Sequence, residues 1–228
     1  MTSRKWVRLF FTTLLWGGLS GVLVSFFVKT DTYAQALEPF SIFGLLGLVL
    51  MFLGLGFIFS VISQMGFFAY LTVHQFGLGM FRRIWPVVQV LLIAFTLFDF
   101  VYFRYKEADG EVALWTFFII PVALLIYGLA VSYVKAKETN RKAFIPALFF
   151  MVVITSVEWI PAIRADDPSW MMLMLVPLLV CNTYQLLILH RITGERQNKS
   201  EAEQTPTPTK STGNQKSNKK KKKKKKKK

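Results

Sequence analysis

Two carboxylates stand inside apolar stretches of this 228-residue chain, Asp99 in "LIAFTLFDFVYF" and Glu158 in "MVVITSVEWIPAI". An ionisable group in hydrocarbon costs several kcal/mol unless it is paired, neutral or near water, so such residues mark either function or tight packing. Read as chemistry, the pair could form a cation, proton or ligand site, with Pro161 opening the helix near Glu158 and freeing backbone carbonyls. Read as packing, both acids lie within reach of the outer interface, protonated or paired with Arg104 or Arg164, and fix helix contacts. The packing reading is the simpler, since each acid sits within about one and a half turns of the end of its apolar stretch, where snorkelling lowers the cost.

Enzyme chemistry finds little to work with. His74 and His190 are the only histidines, and neither a His-Glu-x-x-His pattern, a Gly-x-Ser-x-Gly pattern nor a Gly-rich phosphate loop occurs. No nucleophile has a base visibly beside it. The single cysteine, Cys181, excludes an intramolecular disulfide and a Cys-based metal cluster. The sequence thus suggests no catalytic residue, no metal site and no cofactor. Gly17 and Gly21 form a small-xxx-small pair that lets another helix approach, and Asn182 and Gln185 could hydrogen-bond between helices.

The elements that must position these residues are membrane spans. The chain is 53% hydrophobic, with its charges in short clusters between long apolar runs. A hydrocarbon core roughly 30 Å thick needs about 20 apolar residues in a helix, because unsatisfied backbone is too costly there. Six stretches have that length: Leu9 to Val28, Ile42 to Ile62, Ile84 to Phe103, Val112 to Val134, Phe144 to Ile163 and Trp170 to His190. Trp6, Trp85, Trp115, Trp159 and Trp170 fall near their ends, where aromatic belts sit. The first stretch is longer than the apolar core of a cleaved signal, although Ala34, Gln35 and Ala36 would offer a cleavage site.

Orientation follows from lysine and arginine, which stay cytoplasmic in short loops. An inside N-terminus collects Arg4, Lys5 and Arg8, then Arg82 and Arg83, then Lys135, Lys137, Arg141 and Lys142, on the cytoplasmic side. Asp99 and Glu158 then lie near the outer ends of the third and fifth spans, at comparable depth, where they could share a pocket. Residues 63 to 81, "SQMGFFAYLTVHQFGLGMF", are apolar enough for a further span. A crossing there would put the later basic clusters outside, so a helical extension or an interfacial segment fits better. The expected fold is an all-α polytopic integral membrane protein with about six transmembrane helices and both termini cytoplasmic.

The formal net charge of +15 invites a nucleic-acid reading, but ten of those charges are the lysines from Lys219 to Lys228, leaving +5 for the rest. Residues 1–196 are expected to form the membrane domain. Residues 197–228, rich in Ser, Thr, Pro, Gln, Asn and Lys, are expected to form a disordered cytoplasmic linker and polylysine tail. Lysines near an anionic leaflet gain about 1 kcal/mol each, so membrane lipid is the expected neighbour and no specific nucleic-acid partner is indicated.

The opening "MTSRKWVRLFFTTLLWGGLSG", with the order and spacing of the six spans to about Arg196, resembles the KbaA family. These are membrane proteins of endospore-forming bacilli named for activating the signalling pathway of the sporulation kinase KinB. The resemblance implies an accessory role in the cell membrane: helping a membrane-bound sensor histidine kinase start the phosphorelay of sporulation. It supplies no active-site residues, and the tail departs from it. Contact with a kinase would fall on the span faces and on Arg82, Arg83, Lys135, Lys137, Arg141 and Lys142, although these basic residues serve equally as topology determinants. A rival reading is a small transporter or ion pathway using Asp99 and Glu158, for which no internal repeat speaks.

Overall fold

The computed structural model describes residues 3–37, 41–107, 114–163 and 167–204, and every described element is helical. The elements are α1 (Ser3–Val28), α2 (Thr30–Leu37), α3 (Ile42–Phe81), α4 (Trp85–Glu107), a 3-10 turn (Leu114–Phe118), α5 (Ile119–Glu138), a second 3-10 turn (Arg141–Ala143), α6 (Phe144–Phe149), a π turn (Phe150–Ile154), α7 (Thr155–Ile163) and α8 (Pro168–Gln204). Six of the resulting helices or stacked helices are long and apolar enough to cross a membrane: Arg4–Val28, Ile42–Phe81, Trp85–Tyr102, Ile119–Glu138, Arg141–Ala162 and Pro168–Leu189. The six expected spans are all present.

Their outward faces carry large exposed side chains such as Phe11, Leu15, Leu46, Phe95, Phe98 and Ile126. In water such a surface would aggregate; against acyl chains it costs nothing. Each span therefore needs to bury only a narrow inner stripe, and packing must come from close fit and hydrogen bonds rather than from escape of apolar surface from water.

Residues 63 to 81 do not form a separate crossing. They continue α3, a single 40-residue helix capped at its start by Ser41, whose hydroxyl accepts from the Gly44 amide. At 1.5 Å per residue α3 is about 60 Å long, roughly twice the hydrocarbon thickness. Its last turns turn back through Arg82, Arg83 and Ile84 into α4. That corner is held by Trp85, whose ring lies over Gly77 where no Cβ intervenes, and whose indole N–H donates to His74 Nδ1 at 3.1 Å.

The fifth span is composite. After α6 the backbone widens into the π turn before α7 resumes, so residues on either side do not share one α-helical stripe. α6 packs against α4 and α5, while α7 packs against α3 and α8. At the far end of the bundle the Asp167 carboxylate accepts from the Ser169 amide at 2.8 Å and meets Lys29 at 3.3 Å, tying the start of α8 to the end of α1. The Ser169 amide first, and Lys29 after it, hold the Asp167 carboxyl below its usual range.

α8 remains helical to Gln204, several residues into the stretch expected as linker. The run "GERQNKSEAEQ" is rich in helix formers, with Glu195 four residues ahead of Lys199. The polylysine lies outside the described residues, as do Glu38, Asp109, Glu111 and Asp166 and the side chains of Arg104 and Arg164 expected as partners for Asp99 and Glu158.

Candidate functional site

The centre of the bundle is where α1, α3, α7 and α8 meet, and small residues make the meeting possible. A Cβ on Gly17 would stand 2.5 Å from the Ser60 Cβ and 2.9 Å from the Gly56 carbonyl oxygen. One on Gly21 would stand 2.9 Å from the Gly56 Cα. The pair read from the sequence as a packing face is thus seated on α3, and its counterpart there is Gly56. Cys181 of α8 closes the third side, its thiol donating to the Thr13 carbonyl at 3.6 Å.

Against this close-packed wall runs a buried polar seam. The Ser63 hydroxyl donates to Asn182 Oδ1 at 2.6 Å and accepts from Gln185 Nε2 at 2.8 Å. The amide of Asn182 then donates twice, to Thr155 Oγ1 at 2.9 Å and to Glu158 Oε2 at 2.7 Å. One turn along α3 the Gln64 amide donates to Ser60 Oγ at 3.3 Å. Every one of these side chains is buried. Asn182 therefore links α3, α7 and α8 through three hydrogen bonds, and its carboxamide is the hub of the seam.

Glu158 enters this seam because α3 has Gly66 opposite it: a Cβ there would run into the carboxyl group. Its Oε2 has the Asn182 donor, whereas its Oε1 is buried with no hydrogen-bond partner. Its neighbour Asn182 lies beyond the midpoint of the span Pro168–Leu189, so the carboxyl is farther inside the bundle than its place near the end of the span Arg141–Ala162 suggests. Asp99 is half-buried on α4, and no hydrogen bond joins it to Glu158. What meets between the two helices is the adjacent pair of rings, Phe100 and Trp159, stacked with centroids 5.8 Å apart.

Of the six basic candidates, Arg82, Arg83, Lys137, Arg141 and Lys142 are exposed. Lys135 is buried at 4% exposure, and its ammonium donates to the Leu186 carbonyl at 2.6 Å, so it braces α5 against α8. A lysine so close to a basic cluster reads from sequence as one more surface charge. Only the packing of α8 distinguishes it.

The sequence reading singled out Asn182, Gln185 and Glu158 but missed Ser60, Ser63, Gln64, Gly66 and Thr155. The signal was present in "GFIFSVISQMG": Gly56, Ser60, Ser63 and Gly66 recur at intervals of three or four, one small-residue stripe on a helix face. Among the described residues no group of three histidine, cysteine or carboxylate side chains is placed to hold a metal ion. The seam ties three helices together, and among the described residues it pairs no nucleophile with a base.

Comparison with known proteins gives a consistent match. The family model described as KinB-signalling pathway activation in sporulation, KbaA, matches residues 17–192. A "KinB-signaling pathway activation protein" of Bacillus subtilis (strain 168) is 42% identical over 199 residues, covering 86% of this chain and 100% of that protein. No solved structure gives a significant match. The matched region runs from the glycine pair of α1 to the end of the last span and contains the whole polar seam, and on that match the chain belongs to the KbaA family.

Proposed function

We propose that this protein acts within the cell membrane as an accessory activator of a KinB-type sensor histidine kinase, raising the input to the sporulation phosphorelay. The observation that carries the proposal is the 42% identity to a KinB-signalling activation protein along that protein's entire length. The physical character of the bundle supports it. Six spans with exposed apolar outer faces offer broad surfaces for a partner's membrane helices, and the exposed basic residues fit a cytoplasmic placement of both termini.

The mechanism is contact between helices. The partner's spans dock on outer faces of the bundle, with Arg82, Arg83, Lys137, Arg141 and Lys142 beside its cytoplasmic portion. Asp99 and Glu158 act as packing residues in this reading. The seam presents Glu158 to Asn182 and Gly66, with no second acid bonded to it, which favours packing over an ion pathway.

The test is phosphorelay output in cells lacking this chain, with the kinase measured in the same cells. Output should fall while kinase abundance stays constant, and the kinase should copurify with the intact protein but not with versions altered on the span faces. Unchanged output would overturn the proposal, and ion or substrate flux in liposomes holding the pure protein would replace it with transport.

A further inference from the structure

The corner between α3 and α4 combines three features. The first is an open notch of about 460 Å³ lined by Gln75, Phe76, Gly79 and Met80. Gly79 forms its floor, with nothing within 4 Å of where a Cβ would stand, while Phe76 and Met80 are 74% and 73% exposed as its walls. The second is a pair of exposed arginines, Arg82 and Arg83, three and four residues on from Gly79. The Arg82 backbone is still right-handed helical, which carries the guanidinium of that residue onto the same side as the notch.

The third feature is that the corner is firm. On the face opposite the notch, Gly77 seats the Trp85 ring, Trp85 bonds His74, and Tyr70 packs on Phe149 and Phe150. The notch is thus presented by a braced helix end. Its depth is marked by Trp85, which begins the span Trp85–Tyr102 and lies against Gly77, while the Trp6–Phe68 contact, with ring centroids 5.2 Å apart, puts the start of α1 at the same end of the bundle. The turns around Gly77 therefore stand level with the start of that span, at the polar boundary of the bilayer.

An apolar recess with two guanidinium groups at its rim, at headgroup level, has the chemistry of an anionic phospholipid: acyl carbons for Phe76 and Met80, phosphate oxygens for the arginines, which bind them through paired N–H donors. We propose that this corner is a binding site for one anionic phospholipid. A protein segment with acidic and apolar side chains would also satisfy the charges. The lipid is favoured because the notch is continuous with the lipid-facing surface of α3, where Met65 and Phe68 are also exposed.

The test is native mass spectrometry of the purified full chain, mixed with equal amounts of phosphatidylglycerol and phosphatidylcholine of the same chain length. The intact protein should retain phosphatidylglycerol preferentially. Arg82→Gln with Arg83→Gln should lower that retention roughly thirtyfold, the scale set by two cations at an anionic surface. Arg141→Gln with Lys142→Gln should leave it unchanged, and Gly79→Leu, which fills the notch, should reduce it. Equal retention of both lipids, or equal loss from the two double variants, would overturn the proposal. A photo-reactive residue at position 80, in otherwise unaltered protein in cells, should gain the mass of a phospholipid; a cross-link to another polypeptide instead would sink the lipid assignment.

Discussion

Where α1 meets α3 and α8, backbone nears backbone through Gly17, Gly21 and Gly56, and buried amides and hydroxyls fill what remains. Where α4 meets α5, large side chains splay instead: Leu97, Phe98, Val101, Phe118, Pro121 and Val122 line a groove of about 420 Å³ that opens outward. The two junctions lie in one bundle and share one apolar solvent, yet they are held by different means. Hydrophobic burial cannot drive either, because lipid is as apolar as leucine. The first junction has close contact and hydrogen bonds to replace it; the second has a groove between large side chains and so is a part of the bundle that lipid or a partner can enter.

The comparison can be broken first at Gly56. Gly56→Leu would drive a side chain into the Gly17 carbonyl and the Gly18 Cα, with backbone on both sides and nowhere to shift. Overpacking of this kind costs at least about 1–3 kcal/mol, and here the expected outcome is loss of folded protein from the membrane, read by immunoblot and thermal unfolding.

Asn182→Leu comes next. It removes three hydrogen bonds averaging about 0.6 kcal/mol each in membrane bundles and leaves Glu158 with no donor at all. A loss of about 2–3 kcal/mol, measured by unfolding in detergent, is expected. Its partner test is Glu158→Leu on the Asn182→Leu background, which should recover part of that loss, because removing both members of a buried polar pair is milder than orphaning one.

Phe98→Ala at the open junction should change stability by less than about 0.5 kcal/mol, since its ring is 61% exposed and exchanges one apolar neighbour for another. A large loss there would mean that the groove is a packed interface after all. The smallest effect belongs to Asp167. Its carboxyl is depressed in the folded protein, so what it contributes is present above the unfolded value near about 3.9 and fades as pH falls below it. Asp167→Asn should flatten that acid arm of a stability–pH curve by lowering the neutral plateau slightly, with the acid end left unmoved.

Much of the first junction is legible in the sequence. Span length announced six helices, since only a helix satisfies its own backbone in hydrocarbon. Gly17 and Gly21 announced a close approach, and Asn182 and Gln185 announced inter-helix bonds, because each is a polar or small residue where apolar bulk is the default. What was hidden is partnership. Ser63, Thr155 and Gly66 are unremarkable until Asn182 and Glu158 arrive from other helices, and no spacing within one span encodes that arrival. Lys135 failed for the same reason: its place in a basic cluster described its neighbours in sequence, whereas its role is set by the Leu186 carbonyl on α8. For residues 63 to 81 the charge pattern favoured a helical extension or an interfacial segment over a crossing, and hydropathy could not choose between those two; the helix runs unbroken to Phe81.

The π turn at Phe150–Ile154 has a consequence for how the fifth span answers to its neighbours. One extra residue in a helix rotates everything after it by about 100°. Winding these same residues into an unbroken α-helix would swing Thr155 and Glu158 away from Asn182, with no change in hydropathy. The span is in this sense two half-helices in series with separate loyalties, α6 to the open junction and α7 to the close-packed one. Motion on the α4–α5 side need not be transmitted rigidly to the seam: the wide turn can wind or unwind between them, as a clutch lets one shaft idle while the other holds.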